Sequence, residues 1–416
     1  MTTNNDDDAA DKIRDDNDDG QLASKRMIRD EILSKFPQDN LVYSFGYGSG
    51  VFTQTLKNTT TTTTTTMASN NNKDDSGSNS SGGMLDLILV VDDTYKFHKE
   101  NLNIFPNHYA PWLRYGGPNL VTNIQRKGLL FPFASHLLFP DANVLFHVVD
   151  DNNDNNDNNN NLYLPKMKYG VVDKKDLIQD LTEWDSLYLA GRLHKPTLPI
   201  IIPDDDDELM VAQMKNLKSA TAAALLLSSS SSNTSSSSSS SSSNNTSLSW
   251  SSFYKQISSL SYTGDFRMKV GGEDPYKIDK LVQGPGQIQR FHSLYQPILQ
   301  DSFQKMGLIS INNANNDNKD VDGGLEWNSN DPSTISYLQQ QLPRSLRQRM
   351  NANNNNNTIS QKVDRDAQVQ VLATTLASIV APAARNQSFK GIFTLGLRKS
   401  IQYAKAKLAK GRFGKG

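Results

Sequence analysis

Hydrophobic and polar positions in this chain fall into patterned blocks separated by runs of a single residue type. In residues 25–36 the apolar positions Met27, Ile28, Leu33 and Phe36 suit a short helix, which Pro37 closes. Residues 41–45 predict a strand that runs into Gly46-Tyr47-Gly48-Ser49-Gly50, followed by a helical or turn segment over 51–57. Residues 84–91 form a strongly apolar strand with one acid, Asp86, near its start. Further strands are predicted at 144–149, 162–164, 169–172 and 200–202, and an amphipathic helix at 176–189. From residue 208 the pattern turns helical: 208–227, most of 250–345 with a Gly/Pro turn at 284–286, then 366–380 and 389–409.

Homopolymer tracts interrupt these blocks. The Thr run at 59–66, the Asn/Asp tract around 151–161, the Ser run at 228–243 and the Asn tract at 351–357 have no periodicity and read as insertions. The Asn/Asp tract is expected to tip a hairpin between two strands. Hydrophobic residues are 36% of the chain, an average diluted by the tracts, so the rest has patterning enough for a sizeable core. The blocks predict an α/β domain over 25–205 with insertions at 58–83 and 150–161. A mainly helical domain follows over 208–345 with a Ser-rich insertion at 228–247, then a linker at 346–365 and a C-terminal region over 366–416. Residues 1–24 read as a disordered acidic leader.

Charge and chemistry narrow the function. The chain has no cysteine, which excludes disulfides, thiolate metal sites and cysteine nucleophiles. Net charge is −1, yet no acid follows Asp366 while Arg385, Lys390, Arg398, Lys399, Lys405, Lys407, Lys410, Arg412 and Lys415 do. Such a tail fits a polyanionic surface, lipid or nucleic acid. No run of 18 uncharged apolar residues occurs, and the best stretch, 371–384, contains Pro382, so no membrane-spanning segment is expected.

A strand running into Gly-Ser and then a helix aims backbone N–H groups and a hydroxyl at one point, a geometry that suits nucleotide phosphates. The Gly46–Gly50 run is neither a Walker loop nor a dinucleotide fingerprint, and a plain tight turn explains it equally. Asp86 changes the weighting. In the nucleotidyltransferase superfamily a Gly-Ser after one strand is followed by an acid on the next, which holds Mg²⁺ against the triphosphate. Asp86 also resembles that pattern in being costly to bury without a cation; an Asp exposed at a strand end is the competing reading. The usual second acid two residues on is replaced by Ile88, and Asp92, on the same face by alternation, is the candidate partner. Lys168, Arg192, Lys195, Lys218 and Arg267 are candidates to hold an anionic acceptor, each alone otherwise a solvated surface charge.

Taken in order, the segments resemble the mitochondrial phosphatidate cytidylyltransferase family. The matching pieces are Phe45-Gly46-Tyr47-Gly48-Ser49-Gly50-Val51-Phe52, Met84-Leu85-Asp86 with Val91-Asp92-Asp93, His98 with Asn101-Leu102, and Asn107-His108-Tyr109. They continue with Lys168-Tyr169-Gly170-Val171, Trp184, Leu187 to Leu193 with Lys195-Pro196, Asn216 to Ala220, Leu260 to Met268, and Lys390 to Thr394. The resemblance implies a nucleotidyltransferase-like α/β (α+β) domain, a mainly α, winged-helix-like second domain and a C-terminal amphipathic, membrane-binding helix. It implies transfer of CMP from CTP to phosphatidate with Mg²⁺, at the matrix face of the mitochondrial inner membrane, for cardiolipin synthesis. The expected partners are CTP, phosphatidate and an anionic membrane surface, with no nucleic acid. On the same ground Ser49, Asp86 and Lys168 are expected to be catalytic, and Tyr47, Gly48, Ser49 and Lys218 to contact the nucleotide. Arg192, Lys195, Asp265 and Arg267 are expected to hold the substrate, Asp265 ordering a cation by pairing, and Asp86 with Asp92 to hold the metal. An RNA-directed nucleotidyltransferase and a non-catalytic scaffold of the import machinery are the competing functions.

Overall fold

The computed structural model describes residues 21–48, 51, 84–127, 143–149, 166–228, 245–269, 274, 276–312, 323–355 and 365–395, with side chains of the last helix described as far as Ser388. The predicted segments at 52–57 and 162–164, Ser49 with Gly50, and everything after Leu395 lie outside the described residues.

Five strands form one mixed sheet in the order β3-β4-β2-β1-β5: β1 (Leu41–Tyr47), β2 (Leu85–Val91), β3 (Leu145–Val149), β4 (Met167–Asp173) and β5 (Leu198–Ile201). Strands β2 and β4 run parallel, and the other pairs are antiparallel. The β3–β4 pair is the antiparallel hairpin expected across the Asn/Asp tract. Alternation divides β2 between two cores. Leu85, Leu87, Leu89 and Val91 pack with Ile28, Ile32, Leu33, Phe36 and Phe97 on one side. Ile88 and Val90 face a larger cluster on the other side, which continues without a break through Trp184, Leu217, Phe253 and Tyr295 to Leu376 and Val380.

Two helices, α1 (Thr94–Ile104) and α2 (Pro111–Lys127), which the hydrophobic pattern did not single out, follow β2. Asp93 caps α1, its carboxylate accepting from the N–H groups of Tyr95 and Lys96 at 2.8 and 3.3 Å. The motif residues His98, Asn101, His108 and Tyr109 are buried here with Tyr169 and Gln125. Asn101 donates to the Tyr109 and Tyr169 hydroxyls at 2.8 and 3.1 Å, and His98 pairs with Tyr109 at 2.9 Å and Gln125 at 2.7 Å. Burial pushes the His98 ring down to about 4, although the Gln125 bond works the other way, so it is neutral at ordinary pH. These residues fasten helices to the sheet and do not line the cavity described below.

The predicted helix over 176–189 ends early, as α3 (Lys174–Glu183), because Trp184 turns left-handed at φ 56°. Leu187 is left-handed too, at φ 52°. The buried Asp180 carboxylate explains both. One oxygen accepts from Ser186 N, Ser186 Oγ and Leu187 N at 3.0, 2.8 and 2.9 Å, and the other from Leu189 N and Ala190 N at 2.9 and 3.0 Å. This holds the loop that leads into the short helix α4 (Ala190–Leu193).

Beyond β5 the long helix α5 (Glu208–Ser228) runs through the core. Its Asn216 side chain accepts from the Trp184 indole at 2.8 Å and donates to Ala190 O at 3.2 Å. The region read as mainly helical contains α6 (Trp250–Ser259), α7 (Phe266–Lys269), α8 (Lys277–Gln283), α9 (Gln287–Ile298) and α10 (Pro332–Gln341). A further helix, α11 (Arg344–Asn355), occupies the start of the segment expected to be a linker at 346–365 and most of the Asn tract, because Leu346 packs into the main core and holds it there. The region read as helical also holds a three-stranded antiparallel sheet, β6 (Asn245–Ser249), β8 (Gly324–Asn328) and β7 (Ile309–Asn312), whose strands, four or five residues long, are too short for alternation to stand out from the helical pattern around them.

The last helix, α12 (Arg365–Leu395), is continuous for 31 residues and Pro382 does not end it, contrary to the two helices expected. It is long and apolar enough to cross a membrane, but 44% of its most apolar window is buried inside the protein. Leu372, Leu376, Ile379 and Val380 belong to the main core.

Asp180→Ala would leave five buried donors without an acceptor, at about 1–3 kcal/mol for each one that water does not rescue. The expected result is a loss of at least about 3 kcal/mol in urea unfolding. An unfolding midpoint unchanged from the wild type would show that the loop is held by something else.

Candidate active site

The sheet register assembles the first part of the site. Tyr47, the last residue of β1, pairs with Asp86 on β2, and Asp86 pairs with Lys168 on β4. Adjacent strands are about 4.8 Å apart, so these three side chains stand in a row across three strands. β1 then turns at Gly48, whose φ of +79° favours glycine, and a Cβ there would sit 3.6 Å from an Asp86 carboxylate oxygen.

The opposite wall comes from later in the chain. The row opens into a cavity of about 210 Å³ lined also by Ser186, Tyr188, Arg192, Lys195, Ser261, Tyr262, Asp265, Arg267 and Lys277, and by Val380, Ala383 and Ala384 of α12. Gly191 permits this closure: a Cβ at that position would lie 2.2 Å from the Ser261 Cβ. Lys195 Nζ bridges the same contact, donating to Gly191 O at 2.7 Å and Ser261 Oγ at 2.8 Å.

Five cations and two acids face this cavity. Asp265 is buried and takes Arg267 in a fork, with Nη2 at 2.7 Å and Nε at 3.1 Å from its oxygens. The Arg192 guanidinium lies over the Tyr47 ring at 4.3 Å and the Tyr188 ring at 4.9 Å, and Lys168 Nζ lies over Phe146 at 4.3 Å. Arg192 Nε is buried without a hydrogen-bond partner.

Electrostatics follow from crowding. Burial raises the Asp86 carboxyl above the usual range, and Lys168, Arg192 and Lys277 only partly offset this. Burial, with Arg192 and Lys277 nearby, drives the Lys195 ammonium well below its ordinary value. Burial works against the Arg192 charge, but Tyr47, Tyr188 and Asp86 outweigh it and its value is raised. The Tyr188 phenol is made more acidic: burial opposes this, and Arg192, Lys168 and Arg267 prevail.

Of the residues expected from sequence, Tyr47, Asp86, Lys168, Arg192, Lys195, Asp265 and Arg267 come together here, and Gly48 adjoins them. Two do not. Asp92 is exposed just past the far end of β2, six residues or about 20 Å from Asp86, so one ion cannot touch both. Alternation put them on one face but said nothing of their separation. Lys218 does not line the cavity. Asn216 on the same helix points inward, and two residues further on is roughly 200° around a helix. Ser49 lies outside the described residues. Sequence reasoning missed Tyr188 and Ser261, although both lie in segments quoted for the resemblance, and Lys277, which has no motif around it.

A site with this charge balance suits phosphate-rich ligands. Lys168→Gln should weaken binding of inorganic pyrophosphate, a probe polyanion, about 10-fold in calorimetric titration, equivalent to about 1.4 kcal/mol. Its unfolding temperature should move by only a few degrees, since the Phe146 contact is worth about 1 kcal/mol. Unchanged affinity would separate Lys168 from anion binding.

Comparison with known proteins agrees with this chemistry. A family model described as mitochondrial phosphatidate cytidylyltransferase matches residues 29–410. Proteins named mitochondrial phosphatidate cytidylyltransferase from Danio rerio and Bos taurus are 32% and 31% identical, each alignment covering 94% of this chain and 96% of the relative. One of the same name from Dictyostelium discoideum is 28% identical, over 92% of this chain and 84% of the relative.

Proposed function

The chain belongs to the mitochondrial phosphatidate cytidylyltransferase family, and from that premise we propose that it transfers the cytidylyl group of CTP to phosphatidate. The products are pyrophosphate and CDP-diacylglycerol, the latter for cardiolipin and phosphatidylglycerol synthesis. The observation that carries this reading is one cavity facing five cations and two acids, one of the acids already tied to Arg267. Both reactants are phosphates, and bringing them together requires their mutual repulsion to be offset.

Each residue then has a task. The turn at Gly48 lies beside Asp86 and Tyr47, and Ser49, the next residue in the sequence, is assigned as a donor to the triphosphate. Lys168 neutralises charge next to the acid, while Arg192, Lys195 and Arg267 hold the phosphate of phosphatidate, Asp265 fixing the plane of Arg267. The acceptor is a phosphate monoester and ionised near neutral pH, so alignment and charge neutralisation matter more than deprotonation. Asp86 fits as the protein ligand for Mg²⁺. Among the described residues no three acidic or histidine side chains gather around a metal site, so the remaining ligands would be phosphate oxygens and water, a common arrangement for this ion. When bound, Mg²⁺ supplies charge neutralisation at the phosphates.

On this reading residues 25–205 form the nucleotidyltransferase-like domain and 208–355, through α11, the winged-helix-like one, with a membrane-binding region over 366–416. The protein works as a peripheral protein at the matrix face of the mitochondrial inner membrane. Support comes from α12, whose apolar side packs on the protein, and from the basic composition after Asp366. Near an anionic surface each Lys or Arg adds about 1 kcal/mol.

Purified protein given CTP, Mg²⁺ and phosphatidate vesicles is expected to yield CDP-diacylglycerol, and Asp86→Asn to lower the rate at least about 100-fold. CTP binding by the wild type with no product at any pH or metal concentration would favour a scaffold instead. A chain ending at Leu395 keeps all of α12, whose Gln387 reaches Val144 O, and should stay folded and bind CTP. It should lose most sedimentation with anionic vesicles; retention unaffected by salt would place the membrane contact elsewhere.

A further inference from the structure

Tyr188 brings to the cavity a polar group that none of the roles above uses. Its ring stands edge-on to Phe146, with centroids 6.3 Å apart, and the Arg192 guanidinium lies over it. Its hydroxyl oxygen accepts from Arg192 Nη2 at 3.1 Å. A phenol has one proton to give and two lone pairs to offer. Arg192 occupies a lone pair, so the proton points elsewhere, and among the described residues no acceptor takes it. Tyr188 lines the cavity that Lys168, Arg192 and Arg267 also face, and its hydroxyl is held at Arg192, which lines it too.

We infer that Tyr188 is a further catalytic residue, whose O–H donates a hydrogen bond to an oxygen of the departing pyrophosphate. The inference rests on the cytidylyl-transfer reading. In that step a phosphatidate oxygen forms a bond to the nucleotide α-phosphorus, and the bond from that phosphorus to the pyrophosphate oxygen breaks, its electron pair leaving with pyrophosphate. No proton leaves Tyr188. The hydrogen bond strengthens as negative charge moves onto the leaving group, which is the condition for raising kcat rather than lowering KM alone. Arg192 holds the phenol oxygen in place and, by drawing charge from it, makes the O–H a stronger donor. The competing account is that Tyr188 serves only as a ring under Arg192.

Two variants of the full chain separate these accounts. Tyr188→Phe keeps the ring and removes the oxygen, whereas Tyr188→Leu removes both. With CTP, Mg²⁺ and dioleoyl phosphatidate vesicles, Tyr188→Phe is expected to lower kcat about 10- to 100-fold. KM for CTP should stay within about threefold and thermal unfolding should be unchanged. Tyr188→Leu should fall further, because Arg192 loses its stacking partner. Wild-type kcat in Tyr188→Phe beside an impaired Tyr188→Leu overturns the inference in favour of the ring, and so does a raised KM at unchanged kcat. Titration with inorganic pyrophosphate gives a readout that needs no turnover, and Tyr188→Phe should bind it about fivefold more weakly. A wild type that makes no CDP-diacylglycerol defeats the transfer reading; the titration still decides Tyr188, and equal pyrophosphate affinity there overturns the donor role.

Discussion

A carboxylate buried inside a protein is expensive unless its lone pairs are filled, and Asp180 fills its own with the four backbone N–H groups and one hydroxyl of the loop that follows it. The loop could not take this path unaided. Trp184 and Leu187 both sit at positive φ without being glycine, a cost of order 1–3 kcal/mol each. The hydrogen bonds to Asp180 offset that cost and fix where the chain re-enters a helix at Ala190. Tyr188 lies within the loop and Arg192 one turn beyond it, so the direction of both side chains is set by a residue that touches neither ligand nor cavity. Asn216 ties the same turn from behind through Trp184 and Ala190. This wall of the cavity is therefore tied directly to the core it grows from.

The cavity that results is unstable in its own charge. Burial denies Lys195 the screening of water, and Arg192 and Lys277 add their repulsion, so its ammonium is driven well below the ordinary value. Asp86 relieves some of this, but burial also raises its carboxyl. Aromatic faces take part of the load: Tyr47 and Tyr188 flank Arg192, Phe146 carries Lys168, and Tyr262 lies 4.7 Å from Lys195 Nζ. A ring offers a cation weak attraction without neutralising it. The charge thus stays available to an entering phosphate.

How much of this the sequence carried depended on whether local pattern and tertiary position coincide. The strands of the main sheet are short apolar runs bounded by turn residues, and alternation within 84–91 assigned Asp86 and Ile88 to one face as β2 has them. Alternation has no length scale, so it also offered Asp92, which the strand's rise carries to the opposite end. Lys218 failed for a related reason, since a segment quoted as a unit wraps around a helix and presents successive residues to different surroundings. Helices α1 and α2 escaped because their buried positions include His98, Asn101 and Gln125, polar residues that satisfy one another and blur the apolar stripe. Lys277 was illegible on any local rule. Nothing in Tyr276-Lys277-Ile278 marks a site, and only the closure of α8 against Tyr262 brings it to the cavity.

The last helix joins the two halves of the chemistry. Its middle is core, with Gly264 so near Ala377 that a Cβ on the glycine would lie 2.8 Å from the Ala377 Cβ. One turn further on, Val380, Ala383 and Ala384 give the otherwise polar cavity an apolar side. Phosphatidate presents the same division, a charged head on an apolar body, and on the proposed reading its head reaches the cations while its chains stay out of water. On the proposed reading, a helix whose inner face completes the cavity, followed by sequence that is basic and free of acids, suits both demands. On that reading, the packing of its middle into the main core means that a hold on the lipid surface through the chain beyond it would also set the distance from that surface to the cavity.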